Sequence, residues 1–209
     1  MRELISSVSL LLTLALLPWS GPVAAREYRC SVTDVAGDPS DAPGQGFTGE
    51  PYQDIVSTGI ERTAGAITFS MSLAARLPSA PKLRVPNGLL LWMWGMNTSP
   101  AVPQGYPLPP GPTGRLEFWV HLAWNGQEFY AEVIDRRPAL LGGAPIVTRV
   151  PFIIDGSSIK IMALPTLFDD PQEFRWGSTT WIWASHLGTS GAHAVDRAPD
   201  SHVSSCVTH

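Results

Sequence analysis

Aspartates gather at two places in this sequence. Asp34, Asp38 and Asp41 follow an early strand-forming stretch and Asp54 opens the next; Asp196 and Asp200 stand shortly before Cys206. Clustered carboxylates repel one another unless a cation sits among them. Calcium takes roughly six to eight oxygens, loop carbonyls included, in flexible geometry. Loops rich in Pro and Gly supply such carbonyls. If the two ends of the domain meet, the Asp34–Asp41 and Asp196–Asp200 segments become neighbours and calcium is the expected ion. The alternative is a set of solvated aspartates that merely initiate turns.

Tryptophan is the second residue type with chemical promise. Beyond the N-terminal segment there are Trp92, Trp94, Trp119, Trp124, Trp176, Trp181 and Trp183. Side chains two apart share a face of a strand, so Trp92 pairs with Trp94 and Trp181 with Trp183. Trp124 and Trp176 run in phase with apolar neighbours and are expected in the core. Trp119 alternates with Glu117 and His121, which places it on an outer face. Trp181 and Trp183 share a face with Arg175 and Thr179. An indole exposed in a groove stacks on a sugar ring. Trp92, Trp94, Trp119, Trp181 and Trp183 are therefore candidate ligand contacts, with core packing as the alternative.

Other motifs offer less. Gly44-Gln45-Gly46-Phe47-Thr48-Gly49 has the letters of a dinucleotide fingerprint. It lacks the strand before and the helix after that give those letters meaning. The five histidines (121, 186, 193, 202 and 209) show no zinc spacing. His121 alternates with a core face and is expected to be exposed. No Gly-x-Ser-x-Gly turn occurs, and no spacing joins Ser, His and Asp into a triad.

These side chains must be carried by strands. Ile67, Phe69, Met71 and Leu73 alternate with polar residues, as do Leu116, Phe118, Val120 and Leu122. That period of two predicts half-buried strands. Asn125-Gly126 and Asp155-Gly156 read as tight hairpin turns. Nine strands are predicted, near 27–32, 55–61, 67–73, 89–96, 116–122, 129–134, 150–154, 159–163 and 174–184. The 89–96 stretch is apolar on both faces and should lie centrally. Residues 165–168 allow one helical turn. The segments 37–51, 97–114 and 186–201 are expected as loops. The fold class is all-β: a two-sheet antiparallel β-sandwich with immunoglobulin- or jelly-roll-like packing.

Residues 1–25 read as a signal peptide. Arg2 precedes an apolar run of leucines, Pro18 to Pro22 break it, and Val23-Ala24-Ala25 places small side chains at a cleavage site. The run is too short to span a bilayer, which takes about 20 residues. Residues 26–209 are then a single domain that is secreted, extracellular or periplasmic, with no membrane span. An exported chain with Cys30 and Cys206 as its two cysteines is expected to join them; two free thiols or a redox pair are the alternatives. The formal net charge of −4 and scattered basic residues exclude nucleic acid as a partner.

Several segments recur in one order: Asp34-x-x-Gly-Asp38, Asp54-Ile55-Val56, Ala66 to Met71, Pro151 to Gly156, Phe174-Arg175-Trp176 and Asp196 to Asp200. This order resembles extracellular β-sandwich domains similar to carbohydrate-binding module family 9 and DOMON-type domains. The resemblance implies a non-catalytic sandwich that binds sugars or, in some branches, haem. It also implies calcium held by loop acids, at positions matched here by Asp34, Asp38, Asp196 and Asp200. Where such domains often carry Asp-x-Asp after the central strand, this chain has Gly95-Met96-Asn97. The expectation is a secreted, non-enzymatic domain that binds a polysaccharide or another cell-surface ligand, stabilised by calcium. A structural or protein-interaction module is the first alternative. A hydrolase or lyase using loop Asp and His is the second.

Overall fold

A computed structural model describes residues 27–39, 49–83, 87–99, 106–107, 115–184, 191–199 and 204–207. The expected signal peptide lies outside the described residues, as do Asp41, Asp200, His186, His202 and His209. Fourteen strands are described. β1 (Tyr28–Thr33), β2 (Ile55–Arg62), β3 (Ile67–Leu73) and β4 (Leu89–Asn97) come first. They are followed by β5 (Tyr106–Pro107), β6 (Arg115–Leu116), β7 (Phe118–Trp124), β8 (Phe129–Asp135) and β9 (Ile146–Arg149). The last five are β10 (Phe152–Asp155), β11 (Ser158–Ala163), β12 (Glu173–Ala184), β13 (Gly191–Ala198) and β14 (Ser204–Val207).

The strands form two antiparallel sheets packed face to face. One has the order β1-β2-β3-β11-β10 and the other β13-β12-β4-β7-β8-β9, with β14 also on β12. The long β12 pairs with β13 through Ser178–Ala184 and with β14 through Glu173–Trp176, so those two strands lie end to end along its edge. Among the described residues, β5 and β6 form a separate two-stranded sheet with each other.

Alternation explains the layers. In β3, Ile67, Phe69, Met71 and Leu73 are buried while the residues between them are half-buried. From the opposite sheet β4 contributes Leu90, Trp92, Trp94 and Met96, and β7 contributes Phe118, Val120, Leu122 and Trp124. The rings of Phe69 and Trp94 meet edge-on across the gap, centroids 6.0 Å apart. β4 is central, flanked by β12 and β7, which accounts for its apolar residues on both faces. The hairpins turn where Gly126 (φ +93°) and Gly156 (φ +62°) supply the left-handed backbone that glycine adopts without steric cost.

Cys30 and Cys206 are bonded, with Cα atoms 5.8 Å apart. β1 and β14 belong to different sheets, so the bridge staples one sheet to the other rather than joining paired strands. Each of the nine predicted strands has a counterpart, but the 116–122 stretch is broken at Glu117, with Leu116 in β6 and Phe118 onward in β7, and the 97–114 segment, expected as a loop, contains β5. The segment 186–201, expected as a loop, instead contains β13. Its sequence, Gly191 to Ala198, is rich in small residues, and strand pairing along the exposed edge of β12 holds it extended.

Candidate functional site

Two places in the fold bring together side chains beyond what the core requires. The first is the outer face of the seven-stranded sheet. Here Leu91, Met93, Ala123 and Trp181 form a second apolar cluster, with Leu89, Trp119 and Tyr130 packed against it. The register explains the grouping: Trp181 lies opposite Leu91, Leu91 opposite Ala123, and Ala123 opposite Tyr130. Charged groups bracket the aromatics. The Arg136 guanidinium sits 3.8 Å from the centre of the Trp119 ring, and Arg149 sits 3.8 Å from that of Tyr130. Arg149 Nε also donates to Glu132 Oε1 at 3.0 Å.

His121 belongs to this face and corrects an expectation. It is only 6 % exposed, because Met93 and Glu132 flank it in register and the Tyr130 ring stands edge-on to it. Its Nε2 lies 3.2 Å from Glu132 Oε2. That hydrogen bond, with the nearby Arg149 charge, holds the Glu132 carboxyl below its ordinary range against the opposing effect of burial. Among the described residues, His121 Nδ1 and the indole nitrogens of Trp119 and Trp181 are buried without a hydrogen-bond partner.

The five candidate tryptophans do not share one surface. Trp92 and Trp94 are fully buried between the sheets, so neither contacts a ligand. Their ring nitrogens are used internally: Trp92 Nε1 donates to the Tyr52 carbonyl at 2.9 Å and Trp94 Nε1 to Thr58 Oγ1 at 2.8 Å. Thr58 Oγ1 in turn lies 2.7 Å from Ser178 Oγ. Both faces of β4 are apolar, so alternation alone could not say which set turns inward. Trp119 and Trp181 do lie on the outer face, half-buried and 6 % exposed respectively. The Trp183 side chain lies outside the described ones. Trp124 and Trp176 are buried, as their spacing predicts.

The second place is a rim where the two sheets meet. Two strand irregularities shape it. On β2 the register slips between Ile55 and Ser57, leaving Val56 unpaired with β3. On β13 the register slips opposite Thr180 and Trp181, leaving Val195 without a partner on β12. Bulges bend a strand and re-aim its side chains. Asp196, next to the second bulge, reaches across to accept the Ile55 backbone N–H at Oδ2 and takes the Arg197 N–H on Oδ1 at 2.8 Å. Asp54, just before the first bulge, accepts the Gly37 N–H on Oδ2 at 2.7 Å, which folds the turn after β1 over the rim. Carboxylate oxygens of Asp38, Asp54 and Asp196 all lie within 4.8 Å of one another.

Burial pushes the Asp196 carboxyl up to about 7. The two backbone N–H groups oppose that rise, and the negative charges of Asp34 and Asp38 add to it. Of the four expected calcium ligands, the structure brings Asp38 and Asp196 together. Asp34 acts on Asp196 through its charge, and Asp200 lies outside the described residues. Asp54 takes a place that the sequence reading did not give it. Its signal was present, since Asp54 stands at the head of a strand in the same aspartate-rich region.

No family model, curated protein or solved structure matches this chain. Function must therefore be read from these two places and the fold that holds them.

Proposed function

We propose that this chain is an exported, non-catalytic β-sandwich that binds a cell-surface polysaccharide on the outer face of its seven-stranded sheet. The observation that carries the reading is the partly exposed pair Trp119 and Tyr130 with the exposed Arg149, seated on buried Trp181 and Arg136, on the side away from the opposite sheet. A sandwich core has no use for aromatics there. Indole and phenol rings offer flat apolar area with a polar edge, and guanidinium groups donate in a fixed fork. Together these suit a ligand made of sugar rings and oxygen acceptors. Export is supported by the N-terminal pattern of charge, apolar run and small residues, and by the Cys30–Cys206 pair.

Co-sedimentation with a panel of insoluble polysaccharides tests this reading. Retention by at least one, with release on Trp119→Ala and an unchanged circular dichroism spectrum, is the expected result. No retention by any polysaccharide would end it.

A protein-interaction module is the second reading, and a different edge favours it. Ile146 and Val147 on the edge strand β9 are 57 % and 51 % exposed, and Leu164 nearby is 61 % exposed. Beside them a cavity of about 270 Å³ is lined by Val150, Pro151, Met162 and Leu167. Exposed apolar edges of this kind are places where another chain pairs.

A further inference from the structure

The rim acids come from three separate segments: the turn after β1, the residue before β2, and β13. Asp54 is 3 % exposed and Asp196 is 5 % exposed, while Asp38 is half-buried. Anions held this close and this deep repel one another and have given up their water. Backbone N–H groups answer only part of that. Gly37 serves Asp54 Oδ2, and Ile55 and Arg197 serve Asp196. Among the described residues, Asp54 Oδ1 and Asp38 Oδ1 remain buried with no hydrogen-bond partner. Asp54 Oδ1 thus sits on a side chain almost wholly buried, in a group whose carboxylate oxygens are within 4.8 Å of each other. Native proteins seldom leave a buried carboxylate oxygen unanswered, and a bound ion is one of the few things that answers it.

We propose that Asp38, Asp54 and Asp196 bind a calcium ion that ties the head of β2, in one sheet, to β13 in the other. The donors are all hard oxygens, with neither Cys nor His in the group, which disfavours zinc and other soft-ligand metals. Donor flexibility decides between the alkaline-earth ions. Carboxylates supplied by a turn and two bulged strands suit calcium's flexible, many-oxygen geometry. Magnesium demands a tighter octahedron at about 2.0–2.1 Å and keeps several waters. The bound ion would cancel the repulsion and close a rim to which both sheets supply a carboxylate. This site is distinct from the outer aromatic face, so its fate does not decide the polysaccharide reading.

The test uses the full disulfide-bonded chain and calcium chloride alone as the probe. After dialysis against micromolar calcium, metal analysis should find one calcium per chain. Thermal melts should rise by several degrees from EDTA to 1 mM calcium, and by less in 1 mM magnesium. Asp54→Asn keeps an acceptor for Gly37 and should abolish the calcium response, whereas Asp155→Asn, at an exposed hairpin, should leave it intact. Absence of bound calcium in the parent overturns the proposal. So does an Asp54→Asn variant whose melting responds as the parent does. A larger shift with magnesium overturns the choice of ion. Should Asp54→Asn fail to fold, Asp196→Asn gives the same comparison, and the metal content of the parent decides on its own.

Discussion

Trp94 and Trp119 are separated by one sheet thickness and should respond very unequally to truncation. Trp94 has no exposed surface, and its ring nitrogen donates to Thr58 within a polar knot that includes Ser178. Replacing a fully buried Trp with Ala costs about 3–5 kcal/mol. Loss of the hydrogen bond adds about 1 kcal/mol. In a domain of this size 1 kcal/mol corresponds to roughly 2–4 °C, so Trp94→Ala should lower Tm by about 8–24 °C. Trp119 is half-buried on the outer face beneath Arg136. Its removal forfeits part of its apolar burial and a cation–π contact of about 0.5–1 kcal/mol, so the melt should fall by only a few degrees. Thermal unfolding followed by far- and near-ultraviolet circular dichroism at one pH compares them directly. Equal losses, or a Trp94→Ala protein melting within about 2 °C of the parent, would refute the assignment of faces.

Two further expectations concern the staple and the rim. The Cys30–Cys206 bond closes a separation of 176 residues, and the chain-entropy relation gives about 5 kcal/mol for a loop of that length. Replacing both cysteines with serine should shift the urea midpoint accordingly, and an unchanged midpoint would show that the bond adds nothing. In calcium-free buffer, Asp196 has a folded-state pKa of about 7, above its ordinary carboxylate value. The folded state then holds a proton that the unfolded state has lost. Stability should therefore fall as pH rises from about 4 to 7, by at most about 1.4 kcal/mol per unit, and level off above that. Asp196→Asn should flatten this part of the profile, and identical pH profiles for parent and variant would contradict the environment assigned to Asp196.

The fold was legible because most strands bury one face only. In β3 and β7 the period of two marks the core directly, and Gly126 and Gly156 mark the turns. β4 was legible as a central strand, yet not in orientation. Leu90, Trp92, Trp94 and Met96 face the opposite sheet, and Leu89, Leu91 and Met93 do not, but both sets are apolar. Only pairing with β12 and β7 settles which is which, and that pairing joins segments distant in sequence. β13 was invisible for another reason. Its Gly191, Ala192 and Ala194 carry little strand preference, and its extended form depends on β12. The acid cluster was half legible. Aspartates near the chain ends pointed to Asp38 and Asp196, while the inclusion of Asp54 rests on two bulges that no local pattern announces. His121 was misplaced because a buried outer face breaks the rule that residues alternating with the core meet water.

Ligand titration bears most directly on recognition by the outer face. A soluble oligosaccharide of the retained polysaccharide would be titrated calorimetrically into the parent and into Trp119→Ala, each first shown to be folded. Saturable binding to the parent and a loss of at least about tenfold in affinity for the variant, about 1.4 kcal/mol, is the predicted result. Equal affinity in the two proteins would contradict it and move recognition elsewhere on the molecule.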